Sequence, residues 1–287
     1  MDLLPTIGTS FVTALATRGA NGPGQTIDAA WNLTFGKFHN FYHKKQAKWD
    51  QDLLNYKNEI AENVSSIPVE HRQEAQLSLV GPALEASKYY IEEAEIRKMF
   101  AKLIASSIDE RSNSYTHHAF VEIIKQLSPS DAKLLKYINS QEQNSIALAE
   151  YKAVLKEDLS KLDLSSPLIY DSPLNIEQTM FSLNNLSRLG LVDLELDTSY
   201  FTNESKYTKF YSPHLMEIFY EKSDNIHKQY SENLFSQIRG KSISDISQIF
   251  NISDPELLNN MKPFCIDITK GILKTTNIGN NFNKVCL

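Results

Sequence analysis

The segment from His117 to Ala132 constrains the fold of this chain more than any other. It reads HHAFVEIIKQLSPSDA, and its apolar residues recur at helical spacing until Ser128-Pro129 ends the run. A second amphipathic stretch opens at Asp131 and Ala132. Helical patterns dominate before this break, whereas a different hydrophobic rhythm follows it. The sequence therefore predicts a mainly α-helical protein of two parts that meet near residue 128.

Helical patterns between residues 37 and 127 supply the first part. Residues 91–109 carry one of the strongest signals, because their apolar side chains keep to one face of a helix. Gly81-Pro82 falls inside another apolar run and is predicted to interrupt or kink it. We assign residues 37–127 to an N-terminal helical bundle.

Residues 1–36 form an apolar arm that is rich in Gly and Ala. Two short amphipathic stretches, one containing Phe11 and the other Trp31, flank a glycine-rich turn at residues 19–24. One interpretation is an arm that packs on the body of the protein or on a partner subunit. The other is an interfacial helix that inserts into a membrane surface.

A cationic, aromatic stretch, KFHNFYHKKQAKW, follows the arm from Lys37 to Trp49. Lysines alternate there with aromatic rings and no acidic residue intervenes, which suits an anionic lipid surface or nucleic acid. The same pattern also suits an ordinary helix with a solvated face. Together the arm and this stretch give the candidate surface or membrane contacts: Phe11, Trp31, Lys37, Phe38, Phe41, Lys44, Lys45, Lys48 and Trp49.

The second part, residues 128–287, predicts a smaller domain of mixed helices and strands. A helix over 132–139 is capped by Ser130 or Asp131, and a second helix covers 146–162. A helix over 174–189 ends at Gly190, and the period-two alternation that follows predicts a strand.

Helix, glycine and short strand in this order are typical of a winged helix. The return strand is 206–211 or 266–274, after a helical insertion near 224–238, and a final helix covers 278–285. We therefore predict that the N-terminal bundle is followed by a C-terminal winged-helix-like α+β unit.

The helix over residues 174–189 supplies the candidate nucleic-acid contacts. They are Gln178, Asn184, Asn185 and Arg188. Arg188 is the single cation in this helix, whereas a helix that enters the major groove brings more Lys and Arg to the phosphates. The formal net charge of −6 also disfavours a protein whose main role is to coat nucleic acid. Contact with protein is the preferred role for this helix.

The sequence carries no recognisable catalytic, cofactor or metal-site motif. The nearest candidate, His117 and His118 with Glu122, stands at a helix start and is interpreted as capping. The two cysteines, Cys265 and Cys286, lie among apolar neighbours and are predicted to be reduced, buried thiols. We predict no catalytic residue, no cofactor and no metal site.

Thiol usage and the absence of a signal-peptide pattern or a long apolar run predict a cytoplasmic location. Peripheral contact with the inner face of the membrane is the alternative that the arm leaves open.

Four segments resemble the Abi-alpha family of bacterial abortive-infection proteins. The first two are GPALEASKYYIEEAEIRKMFAKLIASSID at 81–109 and HHAFVEIIKQLSPSDAKLLKYI at 117–138. The others are NLSRLGLVDL at 185–194 and GILKTTNIGNNFNKVC at 271–286. The residues that match the expected motifs are His117, Phe120, Leu127, Ser128, Pro129, Asp131 and Ala132, then Asn185, Leu186, Arg188, Leu189, Gly190 and Leu191, and finally Gly279, Phe282 and Cys286. His118 stands where the family pattern has Pro.

The resemblance implies a bacterial or prophage-encoded protein linked to defence against phage. It implies no mechanism, because the family offers no catalytic residues to carry over. We expect a non-enzymatic defence protein that acts through protein or membrane-surface contacts; a winged-helix nucleic-acid-binding regulator or sensor is the alternative. The expected partner is another protein or a second copy of the chain, and no small-molecule substrate is identified.

Overall fold

The structure is a computed structural model that describes residues 23–35, 46–141, 145–154, 161–238 and 265–287. Within these ranges the protein is mainly helical with a small sheet, as predicted. The helices, in chain order, are α1 (Pro23–Phe35), α2 (Gln46–Ser65), α3 (Leu77–Ser87), α4 (Ala94–Ser106), α5 (Ala119–Lys125), α6 (Pro129–Asn139), α7 (Ile176–Arg188), α8 (Pro213–Ile238) and α9 (Asn277–Cys286). The strands are β1 (Ser145–Val154), β2 (Lys161–Asp163), β3 (Val192–Leu196) and β4 (Cys265–Thr275).

Contacts divide the described residues into two compact units. Unit 1 contains those before residue 143, together with Asn185–Asp193 and Thr275–Leu287. Unit 2 contains those of 143–184 and 194–274. Helices α6 and α9, which the sequence places in the C-terminal domain, thus belong to unit 1. The reason is that both pack against α4.

Helix α4 is the central helix of unit 1. Its Phe100, Leu103 and Ile104 are fully buried, and α2, α3, α5, α6 and α9 all pack against it. An amphipathic helix gains its stability from burying such a stripe rather than from intrinsic propensity. The prediction of a helix within 91–109 is confirmed.

Helix α3 runs through Pro82 without interruption. Proline removes one backbone hydrogen bond from a helix. Val80 before it and Ala83 and Leu84 after it are fully buried, so side-chain packing holds both halves of the helix in place. Packing therefore outweighs the break that Gly81-Pro82 predicts.

A buried cation ties α2 to α4. Arg97 is 5% exposed, and its Nε and Nη2 donate to the carboxylate of Glu59 at 3.1 and 2.9 Å. Its Nη1 donates to the Ile91 carbonyl at 2.7 Å and to Asp52 at 3.3 Å. A two-pronged guanidinium bond of this kind fixes geometry as well as adding energy.

The sheet has the strand order β2-β1-β4-β3. Strand β1 pairs antiparallel with β4 from Ser145↔Lys274 to Val154↔Cys265. Strand β4 also lies next to β3, so 266–274 is the stretch that pairs with the strand after Gly190. The alternative, 206–211, forms short 3₁₀ turns instead. The predicted strand after Gly190 is confirmed as β3, and the helical insertion near 224–238 is confirmed as part of α8.

The predicted helix over 146–162 is wrong, because the described residues of this stretch, 146–154 and 161–162, belong to β1 and β2. Alanine favours a helix locally, but Ala149, Tyr151 and Ala153 are fully buried at alternate positions in the core of unit 2. Tyr151 stacks on Phe219 with the ring centroids 3.9 Å apart. Long-range pairing with β4 therefore overrides local helix propensity.

Tyr207 fixes a second part of the unit 2 core. Its side chain is 1% exposed, and its hydroxyl donates to the Gly271 carbonyl at 2.8 Å and accepts from the Phe201 N–H at 3.0 Å. These bonds satisfy a buried hydroxyl and anchor the 3₁₀ turns to β4.

Helix α9 begins in close contact with the turn after α7. The Thr276 side chain donates to the Gly190 carbonyl and accepts from the Gly279 N–H at 2.9 Å. A Cβ at Gly279 would overlap the carbonyl oxygen of Leu191. Gly190 itself has φ +71, as a helix-ending glycine requires. The predicted end of α7 at Gly190 and the predicted start of α9 are thus confirmed. The two helix ends contact each other through Thr276.

Among the described residues, none of the helices combines the length and apolar character needed to cross a bilayer.

Replacing Arg97 with Ala should lower the free energy of unfolding by about 3 kcal/mol, because the half-buried carboxylates of Glu59 and Asp52 lose their partner. Urea unfolding followed by circular dichroism measures this. The matched control is Lys48→Ala, which removes an exposed cation 3.7 Å from Glu92 and should change stability by less than about 0.5 kcal/mol. Equal effects of the two variants would contradict the role of Arg97.

Gly279→Ala should destabilise the protein by about 1–3 kcal/mol, the usual cost of overpacking, because the new methyl group meets the Leu191 backbone. Gly81→Ala is the control. It adds the same group inside α3, where no atom lies within 4 Å. The helix gain from replacing Gly is offset because Pro82 disfavours a helical backbone at the residue before it, so Gly81→Ala should change stability by less than about 1 kcal/mol. Thermal unfolding of both variants checks the difference; a neutral Gly279→Ala would contradict the close approach.

Candidate functional site

The histidine pair at the start of α5 has a capping role, as predicted, but only one ring contributes. The Nδ1 of His117 accepts from the Ala119 N–H at 3.1 Å, whereas His118 makes no side-chain cap. Glu122 pairs with Lys125 at 2.8 Å on the exposed side of the helix. The three side chains do not converge on one point.

The Ser-Pro break before α6 is a capping box. The Asp131 N–H donates to the Ser128 hydroxyl at 3.2 Å, and the Asp131 carboxylate accepts from the Ser128 N–H at 2.8 Å. The helix therefore begins at Pro129, and Ser128 is its cap. This corrects the prediction that Ser130 or Asp131 is the cap; Asp131 sits in the first turn instead.

Two sequence motifs that lie over 50 residues apart meet at Asp131. The Asn185 side chain donates to the Asp131 carboxylate at 2.8 Å and to the Gln126 carbonyl at 3.1 Å. Arg188 donates to the Gln126 side chain at 3.0 Å and to the Asn185 side chain at 2.7 Å. Asp131 is 1% exposed, so this motif junction (Gln126, Ser128, Asp131, Asn185 and Arg188) is anchored in the interior of unit 1.

The motif junction occupies two of the predicted nucleic-acid contacts. Both hydrogens of the Asn185 amide are used within the protein, and Arg188 is hydrogen-bonded to two neighbours. Both partners of Arg188 are neutral amides, so the guanidinium is positioned by them but keeps its full charge. Gln178 and Asn184 remain exposed.

The predicted membrane or surface contacts fall into three groups: residues outside the described ranges, buried residues and one exposed residue. Phe11, Lys37, Phe38, Phe41, Lys44 and Lys45 lie outside the described residues. Trp31 and Trp49 are each 5% exposed, so their rings belong to the interior of unit 1 and the prediction is corrected for both. Trp31 packs against Phe35 and Tyr56, with ring centroids 4.5 and 5.7 Å apart. Lys48 is exposed.

The part of α7 in unit 2 presents an outward face with an apolar centre. Phe181 is 74% exposed, while Thr179, Ser182 and Leu183 on the opposite side are buried. Glu177, Gln178 and Asn184 surround Phe181 at helical spacing and are also exposed. These four residues form what we term the α7 face.

The α7 face contains Phe181, a residue that sequence reasoning missed. Phe181 falls outside the stripe formed by Ile176, Met180, Leu183 and Leu186, and this offset was a signal that it faces solvent. A large apolar ring in the middle of a polar helix face is a candidate anchor for a protein contact.

The cysteine thiols are free, as predicted. Cys286 is buried, and burial raises the pKa of its thiol well above the ordinary value, although nearby Lys102 acts in the opposite direction. A thiol in this state is a poor nucleophile. Cys265 is half-buried, so its predicted burial is only partial.

Asn185→Ala should lower the free energy of unfolding by about 1–3 kcal/mol, because the buried Asp131 carboxylate loses a donor and the Gln126 carbonyl loses another. The neighbouring Asn184→Ala removes the same side chain from an exposed position and should be close to neutral. Chemical unfolding of both variants distinguishes them. If Asn185→Ala is as stable as Asn184→Ala, the motif junction contributes nothing to the fold.

Comparison with known families places the motifs in context. The family model described as "Abortive infection alpha" matches residues 48–286, which include the motif junction, the α7 face and α9. Neither the curated proteins nor the solved structures gave a match to the chain. Since the match covers most of the sequence, the chain belongs to the Abortive infection alpha family.

Proposed function

We propose that this chain is a phage-defence protein that acts by binding another protein through the α7 face. Membership of the Abortive infection alpha family supports the role in abortive infection. The observation that carries the mode of action is Phe181, whose ring is 74% exposed at the centre of a regular helix. Aromatic anchors of this kind supply most of the binding energy at protein interfaces.

The chemistry of the α7 face favours protein over nucleic acid. Glu177 would repel phosphates, and the face contains no cation among its four residues. The single cation of α7, Arg188, donates its hydrogen bonds within unit 1. Nucleic-acid binding by this helix would therefore depend on the electrostatic attraction of a single cation, which is weak for such binding.

The order of elements supports a winged-helix-like arrangement used for protein contact. In a winged helix, one strand before the recognition helix and two strands after it join one sheet. Strand β1 precedes α7, β3 and β4 follow it, and β4 lies between β1 and β3 in the sheet. Helix α7 therefore occupies the sequence position of a recognition helix, with a contact residue in place of base-reading side chains.

The partner is expected to have a complementary chemistry. Burial of Phe181 requires an apolar pocket, and Glu177 favours a basic side chain beside it. Gln178 and Asn184 can both donate and accept hydrogen bonds at the rim. We therefore infer a protein with an apolar pocket next to a Lys or Arg.

Contact with a membrane surface is less well supported as a mode of action than protein binding through the α7 face. Trp31 and Trp49, the two tryptophans that suggested it, are buried, so they are not available to lipid in this structure. The remaining residues of that prediction, apart from Lys48, lie outside the described ranges.

Phe181→Ser should abolish phage protection, because losing an aromatic anchor weakens partner binding by about 30-fold. Efficiency of plaquing on cells that express each variant at equal level measures protection. Tyr89→Ser is the matched control: Tyr89 is 71% exposed on unit 1, and its loss should leave protection intact. Full protection by Phe181→Ser would contradict the proposal.

Binding to duplex DNA at low salt tests the alternative on the same proteins. Wild-type protein is expected to give no binding that depends on α7. Tight binding that Gln178→Ala and Asn184→Ala both weaken would favour the nucleic-acid-binding regulator instead.

A further inference from the structure

A cleft of about 260 Å³ opens in unit 1 where α2, α4, α6 and α9 meet. Its lining includes Met99 and Cys286, which are 3% and 2% exposed and belong to the core of unit 1. We call this cavity the four-helix cleft. Its volume lies slightly below that of sites for drug-sized molecules, so it suits a small metabolite.

Charged side chains of both signs line the four-helix cleft. Among the described residues, three ammonium groups and two carboxylates of this lining form no ion pair and no side-chain hydrogen bond: those of Lys98, Lys102, Lys136, Glu62 and Glu95. Opposite charges thus share one cleft without neutralising one another.

Lys102 is the least exposed of the three lysines. Burial lowers the pKa of its ammonium, although nearby Cys286 acts in the opposite direction. Burial also raises the pKa of the Cys286 thiol well above its ordinary value, so this neighbour is neutral at physiological pH and does not balance the charge. A half-buried cation without a counter-ion gains more from an anionic ligand than a fully solvated lysine does.

The Lys102 ammonium can be reached by a ligand. Among the described residues, the polar side-chain atoms that are both shut off from solvent and unpaired do not include this ammonium. Because Lys102 lines the four-helix cleft, the cleft is the route by which a ligand reaches it.

The carboxylates of the lining restrict the kind of anion. Glu62 and Glu95 repel a ligand that carries only negative charge and attract an ammonium group. Met99 and Leu287 add apolar side chains to the same lining. A small molecule with a carboxylate, an ammonium and an apolar group matches all three features.

We propose that the four-helix cleft binds a free amino acid with an apolar side chain. Lys102 binds its carboxylate, and Glu62 and Glu95 bind its ammonium. The apolar side chain packs against Met99 and Leu287. This binding is a separate function from protein contact by the α7 face, and neither proposal depends on the other.

Isothermal titration calorimetry of the full chain tests the ligand class with L-leucine and two analogues that each lack one charge. The first, 4-methylpentanoate, lacks the ammonium, and leucinamide lacks the carboxylate. Leucine should show saturable 1:1 binding, and both analogues should bind about tenfold more weakly, because each loses one charge-assisted contact. No binding of leucine at millimolar concentration, or an analogue that binds as tightly as leucine, overturns the proposal.

Variants locate the binding in the four-helix cleft. Lys102→Gln should weaken binding of leucine about tenfold, because the carboxylate loses its charged partner. Its melting temperature should not fall, since the substitution removes a half-buried charge that no carboxylate balances. Glu62→Gln, at an exposed position where the fold is not at risk, should weaken binding of leucine as well.

Lys133→Gln is the matched control for Lys102→Gln. It makes the same charge change at an exposed position of α6 outside the cleft and should bind leucine as the wild type does. Equal leucine affinity in Lys102→Gln, Glu62→Gln and Lys133→Gln would overturn the proposal.

Discussion

The burial of α4 is the constraint on which unit 1 depends. Five helices pack against it, and its apolar stripe leaves almost no exposed surface. Arg97, on the same helix, holds Glu59 and Asp52 of α2 at fixed distances. Hydrophobic burial supplies the energy of this arrangement, whereas the guanidinium sets the relative position of α2 and α4.

The motif junction shows how sequence motifs of the family can serve the fold rather than a reaction. Asp131 closes a capping box on α6 and at the same time accepts from Asn185 at the end of α7. Arg188 donates hydrogen bonds to both Asn185 and Gln126 and so links these two residues of the motif junction. The residues of the motif junction that carry the family likeness therefore serve the packing of unit 1.

Local patterns predicted much of this architecture. The stripe of α4, the glycine that ends α7 and the alternation of β3 are properties of neighbouring residues, and each is readable from the sequence alone. Strand β1 was missed because its alanines favour a helix locally, and only pairing with β4, over 100 residues later, decides its conformation. The cap of α6 was misplaced because Ser128, Ser130 and Asp131 are all capping residues, and their three-dimensional geometry selects one.

The candidate sites were harder to predict for the same reason. The exposure of Phe181 could be inferred from its offset relative to the buried stripe. The four-helix cleft is formed where α2, α4, α6 and α9 meet and leaves no local trace in the sequence. Burial of Trp31 and Trp49 likewise depends on packing among several helices, which is why an aromatic, cationic pattern suggested a surface instead.

The accessibility of position 181 in living cells tests the central claim most directly. A Phe181→Cys variant in a Cys265→Ser background would be labelled with a membrane-permeant maleimide before and during phage infection, with Tyr89→Cys in the same background as the reference. If a protein partner covers the α7 face, labelling at position 181 falls on infection while labelling at position 89 stays constant. Equal labelling at both positions throughout infection would contradict the account.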